Sequence, residues 1–321
     1  MIGDLVIPYV PNRALCSQSA GLLVLSKISK SRKSIRSLSC QAFSSGSSAV
    51  FVDKLFKPKP EFLDVLKQSY SAEGFSVDFL NSTEAANTIN QYVSDKTNGK
   101  INKLVESLDP NTVMYLLSYI YYKGNWKTPF DPRDTREDDF NVEENKKVQV
   151  QMMRMEEDVS TYIDQEIHTS VLHLPFNNSY SMLLLLPDNM TLLENNIFGK
   201  KNYYLFFRKY NIFVPKFSIK TSYKLNDVLT GMGMTDMFGD RANLSGIAEG
   251  QNLAVSEVVH KATLDVDETG ATAAAVTGIG ITLLSLRIIP ELKFNRPFMA
   301  IIIERNTNEM LFIGKIVNPN I

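Results

Sequence analysis

Apolar and polar positions alternate most strictly in the C-terminal third of the chain. His260, Ala262, Leu264 and Val266 are interleaved with Lys261, Thr263, Asp265 and Asp267. That period of two predicts a half-buried strand over His260–Asp267. Phe298–Glu304 and Met310–Val317 flank the turn residues Asn306-Thr307-Asn308 and read as a buried hairpin. Met114–Tyr122 is an unbroken apolar, aromatic-rich run, the pattern of a central strand covered on both faces. His168–Leu174, Tyr180–Leu186 and Asn211–Lys216 read as further strands, with Pro187-Asp188-Asn189 as a turn.

Helical spacing is rarer. In Glu84–Val93 the residues Ala85, Ala86, Ile89, Tyr92 and Val93 fall on one face, and Asn98-Gly99 supplies a stop. Lys224–Met234 reads as a short helix. The pattern as a whole predicts an α+β fold rich in sheet, with no internal repeat. Residues 1–43 differ in texture: Asp4 is the sole acid before Asp53, and serines mix with Arg13, Lys27, Lys30, Arg32, Lys33 and Arg36. The basic cluster follows the apolar stretch Gly21–Leu25 instead of preceding it, which is the wrong order for a secretory signal. This stretch is expected to be an unstructured leader.

Composition narrows the function. At 321 residues and 44% hydrophobic, the chain can bury a large core without a disulfide or metal staple. Its net charge of −1 gives no general pull toward nucleic acid or anionic membrane. The apolar runs are strand-sized and short of a membrane span. Both cysteines, Cys16 and Cys40, lie in the leader, so the rest of the chain has no thiolate metal site. His168 and His173 point to opposite faces if both lie on one strand, which is no metal pair. There is no Gly-x-Ser-x-Gly elbow, phosphate loop or dinucleotide fingerprint. The expectation is a protein that is not an enzyme and holds no cofactor or metal. Asn81, Asn177, Asn189 and Asn243 each open an Asn-x-Ser/Thr sequon, which leans toward a secreted glycoprotein.

The run from Glu268 to Gly278 stands apart: Gly270, Ala271, Thr272, Ala273, Ala274, Ala275, Val276 and Thr277 carry almost no bulk and no charge. A flexible linker would favour Gly, Ser and Pro. Ala, Val and Thr can also enter a sheet, so the segment suits a bistable element. Smallness for flexibility alone predicts the same composition, and both readings stand at this point.

The motifs "KGNW" with "PF" after it, "LSGIAEG…VVHKATLDVDETG", the hinge "DETGATAAAVTG" and "LKFNRPF…LFIGKIVNP" together resemble the serpin family, in its plasma α1-antitrypsin and α1-antichymotrypsin group. The resemblance implies a serpin domain over residues 44–321, with a large mixed sheet and an exposed reactive-centre loop. It implies a monomeric, secreted inhibitor of serine proteases that acts as a suicide substrate. In that scheme the loop is cleaved between Leu284 and Ser285 and inserts, through its hinge Gly270–Thr277, into the main sheet. Leu284 implies a chymotrypsin-like target. Trp126 matches the tryptophan at the end of the sheet where insertion begins, and Lys216 and Glu268 match an ion pair there. His260 matches a histidine under the middle of the sheet. Two departures stand out. Ser118 replaces an asparagine that should flank His260, and residues 1–45 show none of the family's first helices. His260 is therefore expected to lack partners. A hydrophobic-hormone carrier and an inactive truncated form are the alternative functions.

Overall fold

The computed structural model describes residues 43–70, 72–197, 206–248, 253–269 and 289–320. Residues 1–42 of the expected leader, with Cys16 and Cys40, the expected hinge Gly270–Thr277 and the expected bond Leu284–Ser285 lie outside the described residues, while Phe43 opens the first strand.

Two sheets carry the architecture. The first has five strands: β1 (Phe43–Asp53), β2 (Glu73–Val77), β3 (Met114–Lys123), β9 (Phe217–Lys224) and β10 (Glu257–Val266), in the order β2-β1-β3-β10-β9. β3 pairs antiparallel with β1 but parallel with β10, and His260 lies opposite Ser118. The second has eight strands: β4 (Arg136–Glu143), β5 (Lys146–Asp164), β6 (Thr169–Pro175), β7 (Tyr180–Pro187), β8 (Phe206–Pro215), β11 (Glu291–Lys293), β12 (Phe298–Glu304) and β13 (Met310–Ile316). Their order is β11-β8-β5-β6-β7-β12-β13, with β4 on β5. Four α-helices are seen among the described residues: α1 (Pro60–Tyr70), α2 (Ser82–Lys96), α3 (Met190–Asn196) and α4 (Asn226–Gly231). The fold is α+β with a large mixed sheet, as the sequence pattern indicates.

The alternation along β3 explains its central place. Tyr115, Leu117 and Tyr119 pack with Phe51, Val259 and the apolar stripe Ala85, Ala86, Ile89, Tyr92 and Val93 of α2. On the opposite face Met114 and Leu116 meet Phe62 and Leu66 of α1, and Tyr122 meets the second sheet through Phe176, Tyr180 and Phe312. α2 stops where expected: Asn98 and Gly99 take left-handed φ of 50° and 74°, and the Gly99 amide bonds the Ser94 carbonyl at 2.8 Å. In the β12–β13 hairpin the buried Glu304 carboxylate accepts from the Asn306 and Thr307 amides at 2.8 and 2.7 Å.

Several boundaries depart from the sequence reading. Lys224 ends strand β9 instead of opening a helix, and α4 is confined to Asn226–Gly231. Ser218, Lys220, Ser222 and Lys224 alternate with Phe217, Ile219, Thr221 and Tyr223 there, a strand pattern that the following helix obscured. His168 is not in a strand: its φ is 45°, it sits in the turn before β6, and its carbonyl accepts from the Asp188 amide at 3.0 Å. β8 ends at Pro215, one residue before Lys216.

Candidate functional site: the β3–β10 seam and its end

β3 runs on through Lys123 to Trp126, and β10 runs on to Thr269, so the same end of the seam gathers both segments. Trp126 is 3% exposed. Its ring stacks on Phe176 (centroids 4.6 Å apart, 18° between planes) and meets Phe130 edge-on. Its Nε1 donates to the Asp267 carbonyl at 2.7 Å, and its amide donates to the Thr269 carbonyl at 3.1 Å. One tryptophan thus ties the β3 extension, the ring of Phe176 after β6 and the residues Asp267 and Thr269 that follow β10.

Glu268 and Lys216 come together, with Nζ to Oε2 at 2.9 Å. Thr135 Oγ1 donates to the other carboxylate oxygen at 2.7 Å. The Glu268 side chain is only 11% exposed. Burial by itself would raise its pKa, but the bonds from Lys216 and Thr135 outweigh burial and hold the carboxyl below its ordinary value. Beside it, Lys123 Nζ meets Asp267 Oδ2 at 2.5 Å, a second ion pair that crosses from β3 to the end of β10. Sequence reasoning missed Lys123, Asp267 and Thr135. The signal available was Asp267 at a polar position of the alternating strand, with nothing in the sequence to name its partner.

Further along the seam, polar groups are buried without partners. Ser48 on β1, Ser118 on β3 and His260 on β10 lie in one register row. Ser48 Oγ, Ser118 Oγ and His260 Nδ1 make no hydrogen bond. Burial lowers the pKa of His260 from 6.5 to about 4. The unfolded chain therefore binds a proton at a pH where the folded chain does not. The stabilising contribution of neutral His260 is complete above 6.5 and is lost as the pH falls toward 4. At 1.36 kcal/mol per pKa unit, the loss between pH 7 and pH 4 is about 3 kcal/mol. Urea unfolding at the two pH values should show this loss in the natural chain. In His260→Gln the pH dependence should shrink by most of that amount; an unchanged slope would show that other groups carry it.

The remaining candidates are dispersed. Asn81, Asn177, Asn189 and Asn243 are all exposed. Asn81 Nδ2 donates to Glu84 at 2.7 Å, and Asn189 caps α3 by accepting from the Leu192 amide at 3.0 Å. His173 is half-buried on β6, and burial, followed by the nearby Arg305, lowers its pKa. Among the described residues no cluster of three or more His, Cys, Asp or Glu could hold a metal ion. No helix among them is long and apolar enough to cross a membrane.

A five-stranded sheet with a parallel central pair, beside an eight-stranded mixed sheet, defines an α+β sheet protein of the serpin type. The family model described as "Serpin (serine protease inhibitor)" matches residues 20–319. An α1-antitrypsin homolog from Cyprinus carpio is 44% identical over 82% of this chain and 72% of its own length. Serpin A3-5 from Bos taurus is 40% identical over 85% of this chain and 67% of its own. Among solved structures, human thyroxine-binding globulin complexed with thyroxine superposes with a TM-score of 0.81 at 32% identity, covering 94% of this chain and 82% of that one. The chain belongs to the serpin family.

Proposed function

We propose that the chain inhibits serine proteases as a suicide substrate, with the β3–β10 seam as the acceptor for its own cleaved loop. The observation that carries this reading is the parallel pairing of β3 and β10. The chain leaves β10 at Val266 and must reverse direction to form a strand beside it. A strand made from residue 270 onward therefore runs antiparallel to both β10 and β3. Entering between them, it exchanges one parallel ladder for two antiparallel ones, which are slightly more stable per residue. Trp126, Lys216, Glu268, Ser118 and His260 then act as controls on the opening of the sheet.

The chemistry belongs to the protease. Its serine attacks the Leu284 carbonyl and forms an ester, and the bond to Ser285 breaks with release of the new amine. Insertion of the hinge then carries the acylated protease along before water can complete hydrolysis. Leu284 fills an apolar primary pocket. A trypsin-like pocket would leave its buried carboxylate unpaired, so a chymotrypsin-like enzyme is the target. The exposed sequons support a secreted glycoprotein. The same superposition on thyroxine-binding globulin favours a second reading, a carrier of an apolar hormone. Thyroxine titration at equilibrium decides that reading.

Incubation with chymotrypsin should yield an SDS-stable complex of the protease and the N-terminal part of the chain. A released fragment beginning at Ser285 should accompany it. A fragment beginning at Ile288 would move the reactive bond to Arg287, and rapid cleavage without any complex would overturn the inhibitor reading.

A further inference from the structure

The residues that match family roles leave one group at the seam unaccounted for. On the face of the five-stranded sheet that meets α2, Tyr121 of β3 is 1% exposed, and its hydroxyl donates to Asp265 Oδ2 of β10 at 2.9 Å. Ser218 Oγ of β9 donates to Asp265 Oδ1 at 2.6 Å. One carboxylate thus uses one oxygen for the strand on each side of it. Nearby on the same face, Lys261 of β10 donates to the Lys103 carbonyl at 2.7 Å, in the segment between α2 and β3. On the opposite face the register pair Ser118 and His260 offers no such tie, since Ser118 Oγ and His260 Nδ1 are both unpartnered.

The two bonds to Asp265 are not equivalent. β9 and β10 remain paired when a strand enters between β3 and β10, so the Ser218 bond survives opening. The Tyr121 bond spans the seam and must break. A hydrogen bond to a carboxylate in a part-buried site is among the stronger side-chain contacts.

We propose that Tyr121 and Asp265 are positioning residues that latch the β3–β10 seam and set the rate at which the sheet opens to a new strand. This deepens the proposed function and rests on it for the role of opening, though the latch itself is a property of the closed sheet. Tyr121→Phe keeps the ring and its packing and removes only the hydroxyl. Ser218→Ala removes the other bond to Asp265 without touching the seam.

Hydrogen exchange of the full chain should show the amides of 115–122 and 257–264 exchanging on the order of tenfold faster in Tyr121→Phe. Those of β12 and β13 should be unchanged, which separates local opening from general destabilisation. In Ser218→Ala all should stay within about twofold of the natural chain. Uptake of a synthetic peptide copying residues 270–281 should be faster by a similar factor in Tyr121→Phe alone. Seam exchange in Tyr121→Phe equal to that of the natural chain overturns the latch. So does an equal acceleration in both variants. A natural chain that takes up no peptide overturns the insertion reading, and with it the role in opening, while the exchange result still decides the latch.

Discussion

Replacing Trp126 with alanine should lower the unfolding free energy by about 3–5 kcal/mol, the range for deleting a large buried aromatic side chain. Two physical losses add up at this position. The first is packing: the indole fills the space between Phe176, on which it stacks, and Phe130, which it meets edge-on. The second is polar: the Asp267 carbonyl loses the Nε1 donor. Trp126→Phe separates them, because it keeps most of the apolar contact and removes the donor. It should cost about 1–2 kcal/mol, the price of a lost donor with part of the stacking area. Guanidinium unfolding followed by far-ultraviolet circular dichroism is the measurement. Equal losses in the two variants would show that the hydrogen bond, not the packing, dominates. Trp126 is also the single tryptophan of the chain, so its fluorescence reports this end of the seam alone.

The parts of the fold that could be read from the sequence are those whose burial is decided by one partner surface. β10 shows its alternation from Lys261 onward because Ala262, Leu264 and Val266 face the core between the sheets, while Lys261 and Asp265 on the other face stay half-buried. α2 shows its stripe because only that stripe meets the sheet. β1 gives no such signal. Ser44, Ser45, Gly46, Ser47 and Ser48 have the composition of a loop, and they become strand because β3 lies along them from Phe43 to Val52. Tertiary pairing overrides propensity there. β5 fails for another reason. Its burial alternates from Val150 to Met152 and then shifts at Met153, which is also buried, so the period breaks inside one strand. The site divides in the same way. Trp126, Lys216, Glu268, Ser118 and His260 were identified through resemblance to the family. Tyr121, Asp265 and Ser218 were not, because the contact joins residues 144 positions apart, and a tyrosine inside an aromatic run reads as core.

The hinge composition leaves smallness for flexibility and smallness for insertion undecided, and paired substitutions separate them. If residues 270–277 become a strand in the seam, Ala271, Ala273, Ala275 and Thr277 share one face, and Thr272, Ala274 and Val276 share the other. The first face is the one that must enter the packed interior between the sheets, where the flanking strands already bury Tyr122, Ala262 and Leu264. A carboxylate placed there loses its hydration without a partner, at a cost of several kcal/mol. Ala273→Asp should therefore stall insertion while leaving Leu284–Ser285 as good a substrate as before. The acyl-enzyme then hydrolyses, and the number of chains consumed per protease molecule inhibited should rise at least roughly tenfold, since each 1.4 kcal/mol of added barrier is a factor of ten in rate. Thr272→Asp places the same charge one residue away on the opposite face, at the end of the seam where Lys123 and Asp267 are partly exposed, and should change that number by less than about twofold for a cost under about 0.5 kcal/mol. A purely flexible linker cannot distinguish the two positions, because it has no faces. Titration of chymotrypsin with each variant, read as residual activity against molar ratio, gives the comparison directly. Matched curves for Ala273→Asp and Thr272→Asp would mean that the hinge never becomes a strand in this chain, and that its alanines serve mobility alone.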